Sequence, residues 1–266
     1  MKFLENRIEE RSNPGKLIPG AHSVISLASL YRTPDQQNKD CSYRISKYAY
    51  GNDYHSVVLK KTKELSRTIA EASGSKPGAC FVDSGTLFEK KWAALSGIGW
   101  IGKNTLLVHP QAGSYLFLSE IITDLELDYD EAMPDQCGTC TSCIRACPTG
   151  ALALKRPYTL NPSLCISYQT IEQEEGENFS FSQKNKEWIF GCDLCQEACP
   201  NNKKPVFFYD PDFSINPAIK NFTDTDWNTM NKSEFDDVFK DSTLKRGKLE
   251  RIKRNIRMVV KNRSQL

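Results

Sequence analysis

Cys137-Gly-Thr-Cys140-Thr-Ser-Cys143-Ile-Arg-Ala-Cys147-Pro148 is a C-x2-C-x2-C-x3-C-P run, the spacing at which thiolates hold 4Fe-4S cubanes. A partial copy follows as Cys192-Asp-Leu-Cys195-Gln-Glu-Ala-Cys199-Pro200, with Cys165 standing alone before it. Three thiolates two residues apart cap three irons of one cubane, and the fourth, carried past a turn and marked by proline, reaches the other cluster. The expected ligand sets are therefore Cys137, Cys140, Cys143 and Cys199 for one cluster, and Cys147, Cys165, Cys192 and Cys195 for the other. Structural zinc also uses C-x2-C pairs, but four ligands per ion give no reason for this triple spacing followed by proline. No N-terminal apolar stretch resembles a signal peptide, so ligand-spaced cysteines point to a reducing cytosol rather than to disulfides. Cys41 and Cys80 are left as ordinary free thiols.

Such a device needs a scaffold, and 266 residues can supply two modest domains, each with its own core. A content of 39% hydrophobic and 26% charged residues describes an ordinary soluble protein, and no apolar run is long enough to span a bilayer. The net charge of +2 hides an asymmetry: Glu120 to Asp135 carries seven acids and no base, whereas Lys245 to Arg263 carries nine bases against only Glu250. Beyond the two cysteine motifs there is no internal repeat.

The patterning divides the chain at 1–132, 133–204 and 205–266. The first segment reads as α/β. Ser23 to Leu30 is a short apolar strand bounded by Pro19-Gly20 and Pro34. Tyr54 to Ala72 is helical by spacing, with Val57, Val58, Leu65 and Ile69 predicted to share the packed face. Cys80-Phe-Val-Asp83 is a strand edge ending in a Ser84-Gly85 turn that opens a helix over Leu87 to Leu95. Thr105 to Val108 and Ser114 to Leu118 read as a β-hairpin about Pro110 and Gly113. The middle segment is ferredoxin-like. The last is loop-rich from Pro205 to Asp224 and helical from about Lys232.

Some motifs point nowhere. Gly97-x-Gly99-x-x-Gly102 matches the dinucleotide fingerprint by letters, but a helix precedes it and a strand follows, the reverse of what phosphate binding requires. His22, His55 and His109 are the only histidines, and they supply no ligand set for hydrolytic metal chemistry. Clusters carry electrons singly and leave the organic step to something else. Two classes remain from the residues alone: an enzyme with a second cofactor in the first segment, or an electron carrier with a docking domain.

Tyr48-Ala-Tyr-Gly-Asn-Asp-Tyr-His55, Phe81-Val-Asp-Ser-Gly85, Gly99-Trp-Ile-Gly-Lys-Asn-Thr105, Gly113-Ser114, Cys165-Ile-Ser167 and Gly191-Cys-Asp-x-Cys-Gln196 stand in one order with the two cysteine motifs. In that order the chain resembles the epoxyqueuosine reductases over nearly all of residues 1–204. The resemblance implies an α+β protein: a cobalamin-binding α/β domain of the reductive-dehalogenase type, a ferredoxin-like domain with two 4Fe-4S clusters, and a short basic helical tail. It implies a cytoplasmic, monomeric oxidoreductase that reduces epoxyqueuosine to queuosine at the wobble position of tRNA, fed by a reductant of flavodoxin or ferredoxin type. Reductive dehalogenase relatives and a non-catalytic carrier are the alternatives. Most members of the family extend about fifty residues further at the N-terminus, and many carry C-terminal helical repeats; this sequence reads as a short form.

The resemblance also assigns residues. Asp83 would be the proton donor to the alkoxide left by ring opening, its alternative role being a helix cap. Arg11, Ser46, Leu107, Leu118 and Ser167 would lie along the corrin, with Cys192 and Asp193 at its edge. For Leu107 and Leu118, plain hairpin core is the competing reading. Lys103 and Asn104 would donate to corrin amides or to substrate, and Tyr54 and His55 would border the pocket. With no Asp-x-His-x-x-Gly motif, base-off cobalamin is expected. Leu249, Ile252, Ile256 and Val259 recur at helical spacing, which leaves Lys248, Arg251, Lys253, Arg254 and Arg257 for water or phosphate. A folded tRNA substrate favours phosphate, and Lys248, Arg251 and Arg254 are the expected contacts.

Overall fold

The computed structural model describes residues 8–83, 87–174, 176, 179–203, 206 and 210–265. Two short helices, α1 (Ile8–Ser12) and α2 (Pro14–Leu17), lead into strand β1 (Ser23–Leu30), which has the bounds its apolar run predicts. After β2 (Arg44–Ile45) comes α3 (Tyr54–Ser73), capped by Asp53, whose carboxylate accepts from the His55 amide at 3.1 Å, and stopped by left-handed Gly74. β3 (Ala79–Phe81), α4 (Glu89–Leu95), β4 (Trp100–Ile101), β5 (Leu107–Val108) and β6 (Leu116–Thr123) complete this part. The main sheet is antiparallel in the order β1-β6-β3, with Ser23 opposite Thr123, Leu30 opposite Leu116, and Phe81 opposite Glu120.

Two expectations fail here for physical reasons. The hairpin over 105–118 closes only as a tight turn, where His109 and Gly113 exchange backbone hydrogen bonds. Beyond it the strands part: β5 pairs with β4, while β6 is claimed by the longer β1 and β3. On α3 the packed face is Val58, Thr62, Ser66 and Ala70, and Leu65 is 40% exposed. Small side chains let the helix lie close to β6, where the Thr62 hydroxyl donates to Ser119 Oγ at 2.8 Å. The α4 helix starts later than predicted, at Glu89, and its N-cap is Phe88. The expected Ser84-Gly85 turn lies outside the described residues.

The iron–sulfur region is built from short pieces: α5 (Ser142–Ala146), β7 (Leu152–Ala153), β8 (Arg156–Leu160), α6 (Ile166–Ile171), β9 (Trp188–Phe190) and α7 (Leu194–Glu197). It is stitched to the first part rather than strung after it. β9 pairs in parallel with β2, and the turn at Gly113 docks on Asn202, which accepts from the Ser114 amide at 2.8 Å and donates to the Ser114 hydroxyl at 2.9 Å. Gly113 has φ +73°, and a Cβ there would stand 1.9 Å from Asn202 Oδ1, so only glycine permits the contact.

The last segment is helical from Lys232 as predicted, and its helices begin earlier and form an integral layer: α8 (Pro217–Asn221), α9 (Asp224–Thr229), α10 (Lys232–Val238) and α11 (Leu244–Arg263). Trp227 and Phe239 stack at 5.7 Å, and Leu244, Ile252, Ile256 and Val259 are buried. These side chains share one apolar core with Tyr43, Ile45, Ile189 and Phe190. α11 is broken at Lys248, whose φ of +57° is left-handed. Among the described residues no helix is long and apolar enough to cross a membrane.

Candidate active site

A cavity of about 440 Å³ opens where the sheet meets the iron–sulfur region. One wall is aromatic and aliphatic, from Tyr31, Tyr48, Tyr54, Leu116 and Phe117; Tyr54 and Phe117 stack at 4.2 Å, 4° from parallel. The facing wall holds Cys147, Cys165, Cys192 and Cys195, the second of the two predicted ligand sets. None of the first set lines the cavity.

The thiols lie within electrostatic reach of one another. Cys143 feels the charge of Cys199, Cys137 and Cys140, and Cys192 that of Cys195 and Cys165. Cys195 feels Cys165 most strongly among the thiols, and also Cys143 and Cys147 from the two sets. α5 and α7, which carry Cys143 and Cys195, pack against each other. Burial pushes the Cys195 thiol up to about 12, whereas hydrogen bonds from Ser142 draw Cys140 below its ordinary value. The first set is the one that stands off the cavity. No three His, Cys, Asp or Glu side chains among the described residues converge tightly enough to hold a single bare ion, whereas a cubane spreads four thiolates over four irons.

Behind Tyr54 lies an ionic network. The Tyr54 hydroxyl donates to Asp83 Oδ2 at 2.5 Å, and His55 Nε2 meets the same oxygen at 2.9 Å. His55 Nδ1 meets Asp53 Oδ1 at 2.6 Å. Among the described residues Asp83 caps no helix, α4 being capped at Phe88; it sits past β3 at φ +49° with its side chain half exposed. The hydrogen bond from His55 holds the Asp83 carboxyl below its ordinary range, against burial. Burial opposes charge on His55, but the bonds to Asp53 and Asp83 outweigh it and raise the imidazole to about 9. At neutral pH the shared proton therefore resides on His55.

Arg246, from α11, reaches into the network with Nη1 2.5 Å from His55 Nε2. A guanidinium can only donate. The imidazole therefore either accepts from Arg246 when neutral or donates to Asp83 when charged. Nearby, burial and the Asp83 charge raise Glu89 to about 8, and burial raises Glu120 to about 9, both Glu120 oxygens lacking a partner.

Of the residues assigned to a corrin, Ser46, Asn104, Ser167 and Cys192 do line the cavity. Asn104 is buried in its wall with no partner for Nδ2. Leu107 and Leu118 do not line it. Leu107 is buried in the β4–β5 pair, and Leu118 stands opposite Ala28, while Leu106, beside Leu107, and Leu116, two residues before Leu118, line the cavity. Arg11 stacks over Phe88 at 5.6 Å, away from the lining. Lys103 is tied to the Gly138 and Cys140 carbonyls of the outer thiol loop. Asp193 is fully buried, accepting from Ser46 Oγ and from the Lys47 amide at 2.8 Å, and so braces the cavity wall from behind.

The basic helix also divides. Lys248 and Arg257 are exposed and Arg251 is half-buried. Arg254, expected at phosphate, is 5% exposed: it donates to the carbonyls of Gln173 at 2.7 Å and Gln169 at 3.0 Å, and lies over the Phe179 ring. Lys253 donates to the Trp227 and Asn228 carbonyls. A second opening of about 450 Å³ beside Asp53 is lined by Lys240, Lys245 and Arg246.

Comparison with known proteins fits this geometry. The family model described as "Epoxyqueuosine reductase QueG, DUF1730" matches residues 11–84, and that of a "4Fe-4S double cluster binding domain" matches residues 136–202. The epoxyqueuosine reductase of Cellulophaga algicola is 44% identical over 256 residues, 96% of this chain and 83% of its own. This chain belongs to the epoxyqueuosine reductase family. The relative from Synechocystis sp. is 37% identical, over 92% of this chain and 86% of its own. A crystal structure of selenomethionine-labelled epoxyqueuosine reductase superposes with a TM-score of 0.88 at 29% identity, over 98% of this chain and 71% of that one. Another, of an epoxyqueuosine reductase with an epoxyqueuosine-modified tRNA-Tyr stem loop, does so with 0.83 at 29% identity, over 96% and 68%.

Within that family frame, sequence reasoning missed Arg246, Glu89 and the aromatic wall of Tyr31 and Phe117. Arg246 meets a histidine 191 residues away, a contact without local signal. Leu106 was within reach, since strand alternation turns it and Leu107 to opposite faces; Leu116 shares a face with Leu118 and gave no such signal.

Proposed function

We propose that this chain reduces epoxyqueuosine to queuosine at the wobble position of tRNA, the last step of queuosine biosynthesis, in the cytoplasm. The observation that carries the reading is one cavity with two kinds of wall. Four thiols of a single cluster set form one, and Tyr54, bonded to Asp83, stands in the other. The alternatives, a dehalogenase relative and a bare electron carrier, are not favoured by relatives that bear the reductase name.

The cavity suits base-off cobalamin. Its wall is largely apolar, aromatic rings offer it a flat face, and the unpartnered Asn104 amide fits an acceptor on a corrin's rim. Ser46, Asn104, Ser167 and the Cys192 segment would hold the group. Bound there, it would supply low-valent cobalt for cleaving the epoxide, recharged singly through the two clusters from a reductant of flavodoxin or ferredoxin type.

The reaction consumes two electrons and two protons and converts the epoxide to an alkene and water. Ring opening leaves an alkoxide, which needs a proton donor when water is excluded. Asp83 is that donor in our reading, with a refinement. Being ionised at rest, it passes on a proton drawn from His55 Nε2 across 2.9 Å. Tyr54 holds the Asp83 carboxylate in place from the cavity side. Lys248 and Arg251, with Lys240, Lys245 and Arg246 nearer the site, bind the phosphates around the splayed wobble nucleoside. Arg254 has no part in this.

The test is mass spectrometry of tRNA from a strain lacking the gene. Epoxyqueuosine should accumulate and disappear on complementation; a strain with ordinary queuosine levels would refute the activity.

A further inference from the structure

The two thiol sets differ in what they face, and the outer one raises a question the cavity does not answer. Cys147, Cys165, Cys192 and Cys195 line the cavity, so electrons arriving from outside must come through Cys137, Cys140, Cys143 and Cys199. What covers that outer set is the hairpin of β7 and β8. It is fastened there: the Tyr158 hydroxyl donates at 2.6 Å to Asp135, two residues before Cys137. Lys103, which grips the carbonyls of Gly138 and Cys140, lies 5.9 Å from the centre of the Tyr158 ring.

The exposed side of this hairpin is built unlike ordinary surface. All five residues of β8 are exposed; Leu154 (62%) and Tyr158 (39%), with Leu164 (40%) just beyond, leave apolar area in water, while Leu160 lines the cavity. Single exposed apolar residues are normal, but three on one short segment mark a contact surface. Lys155 and Arg156 stand in the same hairpin, and Arg145 at the end of α5; none is in a salt bridge among the described residues. The strongly acidic run that precedes Cys137 is held elsewhere. Leu125 and Leu127 bond to Ser23, and the Tyr129 hydroxyl to the His22 carbonyl, which fixes that run along the start of β1. Asp135 alone reaches the hairpin, and Tyr158 engages it.

We infer that the β7–β8 hairpin is the docking surface for an acidic one-electron carrier protein, with Leu154 and Tyr158 at its centre and Lys155, Arg156 and Arg145 at its rim. This rests on the reductase reading and adds the place and chemistry of electron entry. An apolar centre with a charged rim is the anatomy of a short-lived protein contact, and the rim charges set encounter rate and partner choice. Each encounter oxidises one reduced carrier and passes one electron inward. Two encounters, with two protons, complete one epoxide reduction and release one water.

The probes are a purified flavodoxin and a purified 2Fe-2S ferredoxin, both acidic, tested on cluster-loaded protein. Affinity for at least one of them should fall as salt rises, and Lys155→Glu with Arg156→Glu should weaken it about tenfold or more. Leu154→Ser should weaken binding without changing its salt dependence. Both variants should keep wild-type tRNA binding and, with dithionite in place of the carrier, wild-type turnover. Unchanged carrier affinity in both variants overturns the inference, as does failure of both carriers to bind the wild type. A dimer of the wild type that the leucine variant dissociates also overturns it, by giving the patch to a second copy. If dithionite drives no epoxyqueuosine reduction by the wild type, the reductase reading fails instead, whatever the carriers do.

Discussion

The two sides of the cavity are made on different principles. The thiol side is a set of short helices and turns whose cysteines are positioned by backbone, with burial as the dominant influence on Cys192 and Cys195. The opposite side, behind Tyr54, is a chain of ionised side chains, Asp53, His55, Asp83 and Arg246, partly open to water. Electrons pass between buried centres without moving atoms. A proton moves only between groups in hydrogen-bond contact. Burial suits the first task and would end the second.

Removing a thiol should break the comparison most severely. Cys165→Ala takes a ligand from the cavity-facing set, and iron content after anaerobic reconstitution should fall from about eight to about four, with turnover lost. Both clusters surviving would mean that Cys165 is not a ligand. Asp83→Asn acts on the other side alone: iron content and tRNA affinity should be unchanged, and turnover should fall about a hundredfold or more. Wild-type rates in that variant would leave Asp83 a structural role only.

A third substitution touches neither side. Arg254→Met leaves the Gln169 and Gln173 carbonyls without their donor and should cost about 3 kcal/mol of stability by denaturant unfolding. The salt dependence of tRNA binding should not move. Lys248→Gln with Arg251→Gln should do the opposite, lowering the salt slope by about 0.7 to 0.9 per lost phosphate contact with stability intact. The smallest effect concerns pH. His55 is raised from 6.5 to about 9, so its bonds contribute fully below about pH 6.5 and are lost as pH rises through about 9. Asp53 and Asp83 are both held below 3.8, so their share persists above that value and fades as pH falls beneath it. The stability gap between wild type and His55→Gln should therefore be widest near pH 5 to 6 and close toward pH 10. A gap that is flat across that range would deny the imidazolium.

What was legible in the sequence follows the range of each interaction. The iron–sulfur region lies in short motifs whose spacing is itself the chemistry, so it could be read without tertiary knowledge. β1 and α3 were legible in extent, because an apolar run and a helical period are local. The face of α3 was not: Leu65 and Ile69 outrank Thr62 and Ser66 in hydrophobicity, yet small residues win where a helix must lie close to a sheet. The hairpin failed because β6 has better partners than its neighbour in sequence. Arg254 sits in a basic run like any solvated residue, and only carbonyls more than eighty positions away show that it belongs inside.

The parallel pairing of β2 with β9 sets the timetable on which this protein can be made. Arg44 and Ile45 leave the ribosome long before Trp188 and Phe190 exist to receive them. Until then the cavity has one wall, and the cysteine motifs emerge onto a half-formed surface. Contacts this distant along the chain form slowly, because a large loop must close before any of them repays its entropy. The nascent chain therefore carries its first cysteine motif in the open before the strand that closes the cavity has been made.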